Sequence, residues 1–298
     1  MAAASGPHGV CIVDKAAGPT SHDVVAQARR QLGTRRVGHA GTLDPDATGV
    51  LVLGVGRATR LLRFVTPLTK SYEGEVVLGV ETSTLDASGQ TTAVHEMGEV
   101  TLEQARHAAR GLVGDLDQVP PMVSAVRVGG RRLHQLAREG VEVERPARPV
   151  TVHRFDVTGV GEEAGPAGTV LRIEVDCSSG TYVRVLAADL GRALGGGAHL
   201  RGLRRSAVGP FTVARARPVD DLELLPPLAA VSHLDRVAVD DEVAALVVTG
   251  TRLRRSGEAV RFEGDGPWAL TSARGGDLLA VYEAVGERAH PAVVMAQG

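Results

Sequence analysis

Cysteine is nearly missing from this chain of 298 residues, which carries only Cys11 and Cys177. Two thiols make neither a disulfide framework nor metal-ligand spacing, so a cytosolic protein with reduced thiols is expected. Lysine is limited to Lys15 and Lys70, and isoleucine is almost absent, while arginine is abundant. That bias looks genomic, so an isolated arginine says little about function. No run approaches the roughly 18 apolar residues of a membrane span. The first residues, Met1 to His8, lack a basic region followed by an apolar core, so no secretory signal is expected. The Gly-Lys-Ser/Thr of a phosphate loop is missing as well. The run Gly195-Gly196-Gly197 ahead of Arg201, Arg204 and Arg205 therefore does not read as a nucleotide site. There is no internal repeat and no long disordered segment.

What is present is ordinary for a soluble globular protein: 43% hydrophobic and 23% charged residues, enough for one large domain or two. The net charge of −2 argues mildly against a nucleic-acid partner, but the charge is unevenly spread. Between Val24 and Lys70 there are eight Lys/Arg and two Asp, whereas Glu73 to Asp117 is acidic. A local basic segment is what a polyanionic substrate requires; a solvated basic face reads equally well.

The chain is organised around Val37 to Leu51, a glycine-dense stretch that runs into the apolar segment Val50 to Val55. Pro45 biases Asp44 toward an extended or turn geometry. Gly38, Gly41 and Gly49 permit tight bends and close approach of a ligand. A carboxylate on such a loop, ahead of a buried strand, suits a nucleophile or general base. An Asx-turn is the other reading of an isolated Asp-Pro.

In chain order, Gly9–Lys15 reads as a first strand. Thr20 to Asp23 supply N-cap residues for a helix over Val24 to Leu32, which Gly33 stops. Ala58 to Phe64 reads as a short basic helix, and Lys70 to Val80 as a strand followed by a polar loop over Thr82 to Gln90. Thr101 to Gly111 is a capped helix. A strand over Val150 to Phe155 leads to a polar loop from Gly159 to Gly168. A strand from Leu171 enters the turn Ser178 to Thr181, whose Thr can cap the next helix. That puts Tyr182 and Arg184 in the first turns of the helix, near its positive end. Pro218 to Asp235 marks a boundary, and residues 236–298 alternate short apolar runs with glycine turns, a small β-rich module.

Gly38-His39-Ala40-Gly41-Thr42-Leu43-Asp44-Pro45-Asp46-Ala47-Thr48-Gly49-Val50-Leu51 resembles the G-H-x-G-x-L-D-P-x-A-x-G-x-L signature of the bacterial tRNA pseudouridine-55 synthase family, TruB. Lys70-Ser71-Tyr72, Cys177-Ser178-Ser179-Gly180-Thr181-Tyr182-Val183-Arg184 and Gly197-Ala198-His199 to Arg205 extend the resemblance over most of the chain. It departs at Ala16, where the family has proline, and at Val123, where it often has tyrosine. The resemblance implies an α+β fold, a mixed and largely antiparallel sheet flanked by helices. It implies a catalytic domain over 1–235 and a PUA-like RNA-binding module over 236–298. It also implies the activity: isomerisation of the T-loop uridine at tRNA position 55, with Asp44 as nucleophile, Arg184 as its partner and Tyr72 stacked on the base. His39, Tyr182 and Leu203 are implied to hold the extruded nucleotide. No metal or other cofactor is implied, and the expected partner is the T-arm of tRNA, met by a cytoplasmic monomer. A non-catalytic RNA-binding or RNA-folding protein on the same scaffold is the alternative. The intact set Asp44, Tyr72 and Arg184 weighs against it.

Overall fold

The computed structural model describes residues 6–124, 127–128, 131–132, 139, 141, 143–162, 168–257 and 260–295. The chain divides into two compact units, one made of Met1–Pro45, Gly49–Pro67 and Val208–Gly298, the other of Asp46–Thr48 and Leu68–Ala207.

The first unit starts with β1 (Gly9–Lys15), buried along nearly its whole length, and α1 (Ser21–Gln31). Thr20 caps α1 in a reciprocal capping box with Asp23. Then come β2 (Val37–Ala40) and β3 (Thr48–Val55), which pairs antiparallel with both β1 and β2. Val24, Val25 and Ala28 of α1 pack on Cys11, Val13, Leu51 and Leu53, which accounts for the apolar face at helical spacing. The expected basic helix after β3 is a 3₁₀ stretch (Gly56–Leu61) continued by the single turn α2 (Leu62–Val65).

The second unit carries the strands β4 (Lys70–Leu78), β5 (Val80–Thr82) and β6 (Thr91–Val94), the helix α3 (Leu102–Arg110) and β7 (Gly114–Gln118). Two short strands, β8 (Arg127–Val128) and β9 (Arg131–Arg132), pair with each other. Next follow β10 (Arg148–Glu162), β11 (Thr169–Cys177), α4 (Val183–Ala193) and β12 (Ala198–Val208). The order β12-β4-β11-β10-β7 forms the sheet of this unit, and α3 and α4 cover one face through a core that includes Leu78, Phe155, Ile173, Leu186 and Leu190. The strand expected from Lys70 to Val80 breaks at Gly79, which takes φ 82. The start of the loop expected over Gly159 to Gly168 corrects to strand, since Val160, Gly161 and Glu162 stay in register with Leu171, Val170 and Thr169; residues 163–167 of that loop lie outside the described residues. A register shift between Val157 and Gly159 keeps the ladder, and a Cβ at Gly159 would collide with the Arg172 guanidinium.

Back in the first unit, Phe211–Thr212 makes β13, and residues 217–225 run alongside β1, with Val10 and Leu225 exchanging both backbone bonds. The strands β14 (Asp235–Val239), β15 (Leu253–Arg254), β16 (Trp268–Ser272), β17 (Leu278–Val285) and β18 (Arg288–Val294) form a separate sheet in the order β14-β16-β17-β18-β15, with α5 (Asp241–Val248) against it. Its core is built on Trp268, Tyr282, Phe262 and Val247. The α+β class and the β-rich C-terminal region are as expected. Among the described residues, no helix is long and apolar enough to cross a membrane.

Candidate active site

Asp44 lies in the loop between β2 and β3, exposed, while Leu43 and Ala47 beside it are buried. Gly41 and Gly49 bound this loop at φ 89 and 98, a region that side-chain-bearing residues avoid. Gly38 has no such need, since a Cβ there meets only Leu62 Cδ1 at 3.6 Å. The residues either side of Asp44 are pinned through their main chain. Leu43 N donates to Ser21 Oγ at 2.9 Å, and the Ser21 hydroxyl donates back to Leu43 O at 3.1 Å. The Pro45 carbonyl accepts from Lys15 Nζ at 2.7 Å and from Gly18 N at 2.9 Å. Lys15 Nζ also donates to Ala16 O at 2.9 Å, a main-chain contact that does not need the family's proline. His39, half-buried on β2, meets His22 of α1 edge to face at 5.5 Å.

In the second unit, Arg184 is 4% exposed and sits in the first turn of α4. A cation at a helix N-terminus opposes the macrodipole, so it needs acceptors. Its Nη1 donates to Asp86 Oδ2 at 3.1 Å and to Thr84 O at 3.0 Å, and its Nη2 to Val123 O at 2.9 Å. The last contact uses the main chain, so the departure to valine at position 123 leaves it in place. Asp86 is itself held: its Oδ1 accepts from Thr84 Oγ1 at 2.6 Å and Ser88 N at 3.1 Å, and Leu85 before it has φ 63. A leucine in the left-handed region is strained, and the bonds Leu200 N to Leu85 O and Ala87 N to Leu200 O hold it there.

Tyr182 is the N-cap of α4, not a first-turn residue as expected. The expected cap, Thr181, instead donates to Ser178 O within the turn. The buried amide of Gln118 holds the N-cap residue's own main chain: its Oε1 accepts from Tyr182 N at 2.7 Å and its Nε2 donates to Tyr182 O at 3.2 Å. Tyr72, half-buried on β4, and Leu203 on β12 border the same core. Leu203 Cδ1 lies where a Cβ on Gly74 would be 3.5 Å away, and Gly74 shares the face of β4 that carries Tyr72. His199 anchors β12 through Nδ1 to Val80 O at 2.8 Å.

Asp44 and His39 thus belong to the first unit, and Tyr72, Tyr182, Arg184 and Leu203 to the second. Sequence reasoning missed Ser21, Asp86 and Gln118 as supports. Asp86 was legible only as part of a polar Thr/Asp loop, and Ser21 only as a capping type.

A groove of 830 Å³ in the first unit is lined by Arg29, Arg35, Arg36, Arg57 and Arg60, with no carboxylate among its lining residues. Among the described residues, no group of three His, Cys, Asp or Glu is placed to hold a metal ion. Burial pushes the Cys11 and Cys177 thiols up to about 11, as suits inert structural residues.

Comparison with known proteins agrees with the sequence motifs. Residues 29–183 match the N-terminal domain of the TruB family pseudouridylate synthases, and residues 184–237 match a tRNA pseudouridylate synthase B C-terminal domain. The tRNA pseudouridine synthase B of Arthrobacter sp. (strain FB24) is 45% identical over 297 residues, covering 97% of this chain and 96% of that protein. That of Thermobifida fusca (strain YX) is 47% identical over 298 residues, 97% of this chain and 98% of that one. Among solved structures, a chain in the crystal structure of a Cbf5-Nop10-Gar1 complex matches with TM-score 0.72 at 26% identity, over 97% of this chain and 84% of that chain. One in the archaeal box H/ACA sRNP Nop10-Cbf5 complex matches with TM-score 0.72 at 23% identity, over 98% and 88%, a likeness of fold. With a signature loop that is folded and pinned and a family match running from residue 29 to residue 237, the chain belongs to the TruB family of pseudouridylate synthases.

Proposed function

We propose that this protein is a tRNA pseudouridine synthase that converts the T-loop uridine at position 55 to pseudouridine, with Asp44 as nucleophile. The observation that carries the reading is an exposed carboxylate on a loop whose neighbouring residues, Leu43 and Pro45, are held by Ser21, Lys15 and Gly18. The reaction breaks the N1–C1′ bond, turns the detached uracil, and joins C5 to C1′; the proton lost from C5 is balanced by one gained at N1. The base must be extruded from the folded loop, at a cost of a few kcal/mol. It must then stay bound while detached, which stacking on Tyr72 provides. Arg184 is the cation that favours ionised Asp44. His39, Tyr182 and Leu203 hold the extruded nucleotide. The arginine-lined groove suits the phosphate backbone of the T-arm.

Residues 1–235 form the catalytic domain in this reading, and 236–298 a PUA-like RNA-binding module, acting as a cytoplasmic monomer without a cofactor. The test maps pseudouridine chemically in a tRNA transcript after incubation with the protein. Product should appear at position 55 with wild type and be abolished by Asp44→Asn, with tRNA binding retained. Product formation by Asp44→Asn within tenfold of wild type, after excluding deamidation, would sink the nucleophile assignment.

A further inference from the structure

We infer that Ser21 is a positioning residue for the reaction, its hydroxyl setting the backbone on which Asp44 is presented; this rests on the reading of Asp44 as nucleophile. Ser21 is fully buried at the first position of α1, 22 residues before its partner in the chain. Its Oγ accepts from Leu43 N at 2.9 Å and donates to Leu43 O at 3.1 Å, so one hydroxyl satisfies both main-chain groups of the residue preceding Asp44. Residues at a helix start ordinarily turn such a hydroxyl toward the helix's own N–H groups. Here that work belongs to Thr20, whose Oγ1 accepts from Asp23 N at 3.1 Å while Asp23 caps Thr20 N in return. Ser21 is therefore released from capping, and its polar group is committed to the loop.

The hold is two-sided. Leu43 is fixed through Ser21, and Pro45 through Lys15 Nζ and Gly18 N. The backbone that carries Asp44 is then held at the residues on both sides of it, while its own side chain is exposed. Alanine at position 21 leaves the buried N–H and C=O of Leu43 without these partners, and the chain must move to satisfy them. A nucleophile displaced by an ångström loses rate without losing the surface that binds RNA.

The test compares Ser21→Ala, Ser21→Cys and Thr20→Ala in the full-length protein, with single-turnover pseudouridine formation, tRNA Kd and thermal unfolding measured for each. Thr20→Ala weakens the same helix without touching Leu43, so it reports what destabilising α1 alone does. Ser21→Ala should slow single-turnover chemistry by about tenfold or more at a tRNA Kd within about twofold of wild type. Thr20→Ala should keep the wild-type rate well below its unfolding midpoint. Ser21→Cys, isosteric but a weaker donor and acceptor, should fall between. If Ser21→Ala does not fold, Ser21→Cys is read in its place: a slowed rate at unchanged Kd supports the role and a wild-type rate overturns it. A wild-type rate in Ser21→Ala, or equal slowing in Ser21→Ala and Thr20→Ala, also overturns it. Asp44→Asn run alongside separates the two readings. An active Asp44→Asn removes the nucleophile itself, whereas an inactive one beside a wild-type Ser21→Ala removes only the clamp.

Discussion

Replacing Asp86 by asparagine changes one oxygen for an NH₂ group, and no orientation of the amide suits the site. If its oxygen stays toward Thr84 Oγ1 and Ser88 N, the NH₂ faces the Arg184 guanidinium, donor against donor. If the amide flips, Arg184 keeps an acceptor while the NH₂ meets Ser88 N–H. Removing one partner of a fully buried ion pair costs about 3–5 kcal/mol. The Asp86 side chain is 22% exposed, and Arg184 retains Thr84 O and Val123 O, so the loss is smaller here. A charge-assisted hydrogen bond is worth about 1.5–3 kcal/mol, so we expect about 2 kcal/mol of destabilisation in urea unfolding. Arg184 should also be held less firmly, with its Asp86 contact gone and Thr84 O and Val123 O retained, and single-turnover pseudouridine formation should fall together with stability while tRNA Kd holds. An unfolding free energy within about 0.5 kcal/mol of wild type, the scatter of ordinary surface substitutions, would refute the ion-pair reasoning. A normal rate in a destabilised variant would refute the link from Asp86 to Arg184's role.

Lys70 is 4% exposed, and burial, with repulsion from Arg205, lowers its pKa to about 8. The native value lies below the unfolded one of about 10.5, so charged Lys70 costs about 3 kcal/mol at neutral pH, and that cost fades as pH rises from 8 toward 10.5. Cys11 and Cys177, raised by burial, act in the opposite direction above pH 9. The measurement is therefore the stability of wild type relative to Lys70→Met, which shares both thiols; it should move in favour of wild type from pH 8 to 10, and a flat difference would contradict the buried charge. In the C-terminal region, Arg252 and Arg254 are exposed either side of buried Leu253, whereas Arg255 stacks on Trp268 and donates to Gly264 O. Arg252→Ala with Arg254→Ala should weaken tRNA binding and flatten its salt slope by about 0.7–0.9 for each phosphate no longer neutralised, while Arg255→Ala should lower the unfolding midpoint; an unchanged salt slope in the double variant would place the RNA elsewhere.

Local pattern carried most of the fold. The limits of β1 and the caps of α3 were legible because each depends on residues within four positions of itself. Where a distant partner decides, the sequence was silent. Thr181 was a reasonable cap for α4, yet Gln118, 64 residues earlier, takes both main-chain groups of Tyr182. The first residues of the expected polar glycine loop, Gly159 to Glu162, are strand because they pair with Arg172 to Thr169. The site divides in the same way. Asp44, Tyr72 and Arg184 came from motifs, but Asp86 lies 98 residues from Arg184, and no local rule joins them.

The basic stretch from Val24 to Lys70 shows what charge counting leaves out. Its arginines read as a surface for a polyanion, yet several already serve the fold. Arg29 Nη2 donates to Val37 O at 2.9 Å, Arg57 Nη1 to Met295 O and Arg60 Nη1 to Val294 O, each at 3.1 Å, and Arg63 pairs with Glu283. A guanidinium has five N–H donors, so one bond to a carbonyl does not exhaust it. Arg29, Arg57 and Arg60 line the groove while making these bonds, and Val294 forms part of its wall. The end of β18 thus orients two of the five arginines that give the groove its charge, Arg57 and Arg60. Cutting the chain at Arg236 would remove carbonyl acceptors and groove wall together. A binding defect in that truncation cannot be assigned to the removal of Arg252 and Arg254, and only point substitutions at those exposed positions separate RNA binding by them from groove assembly.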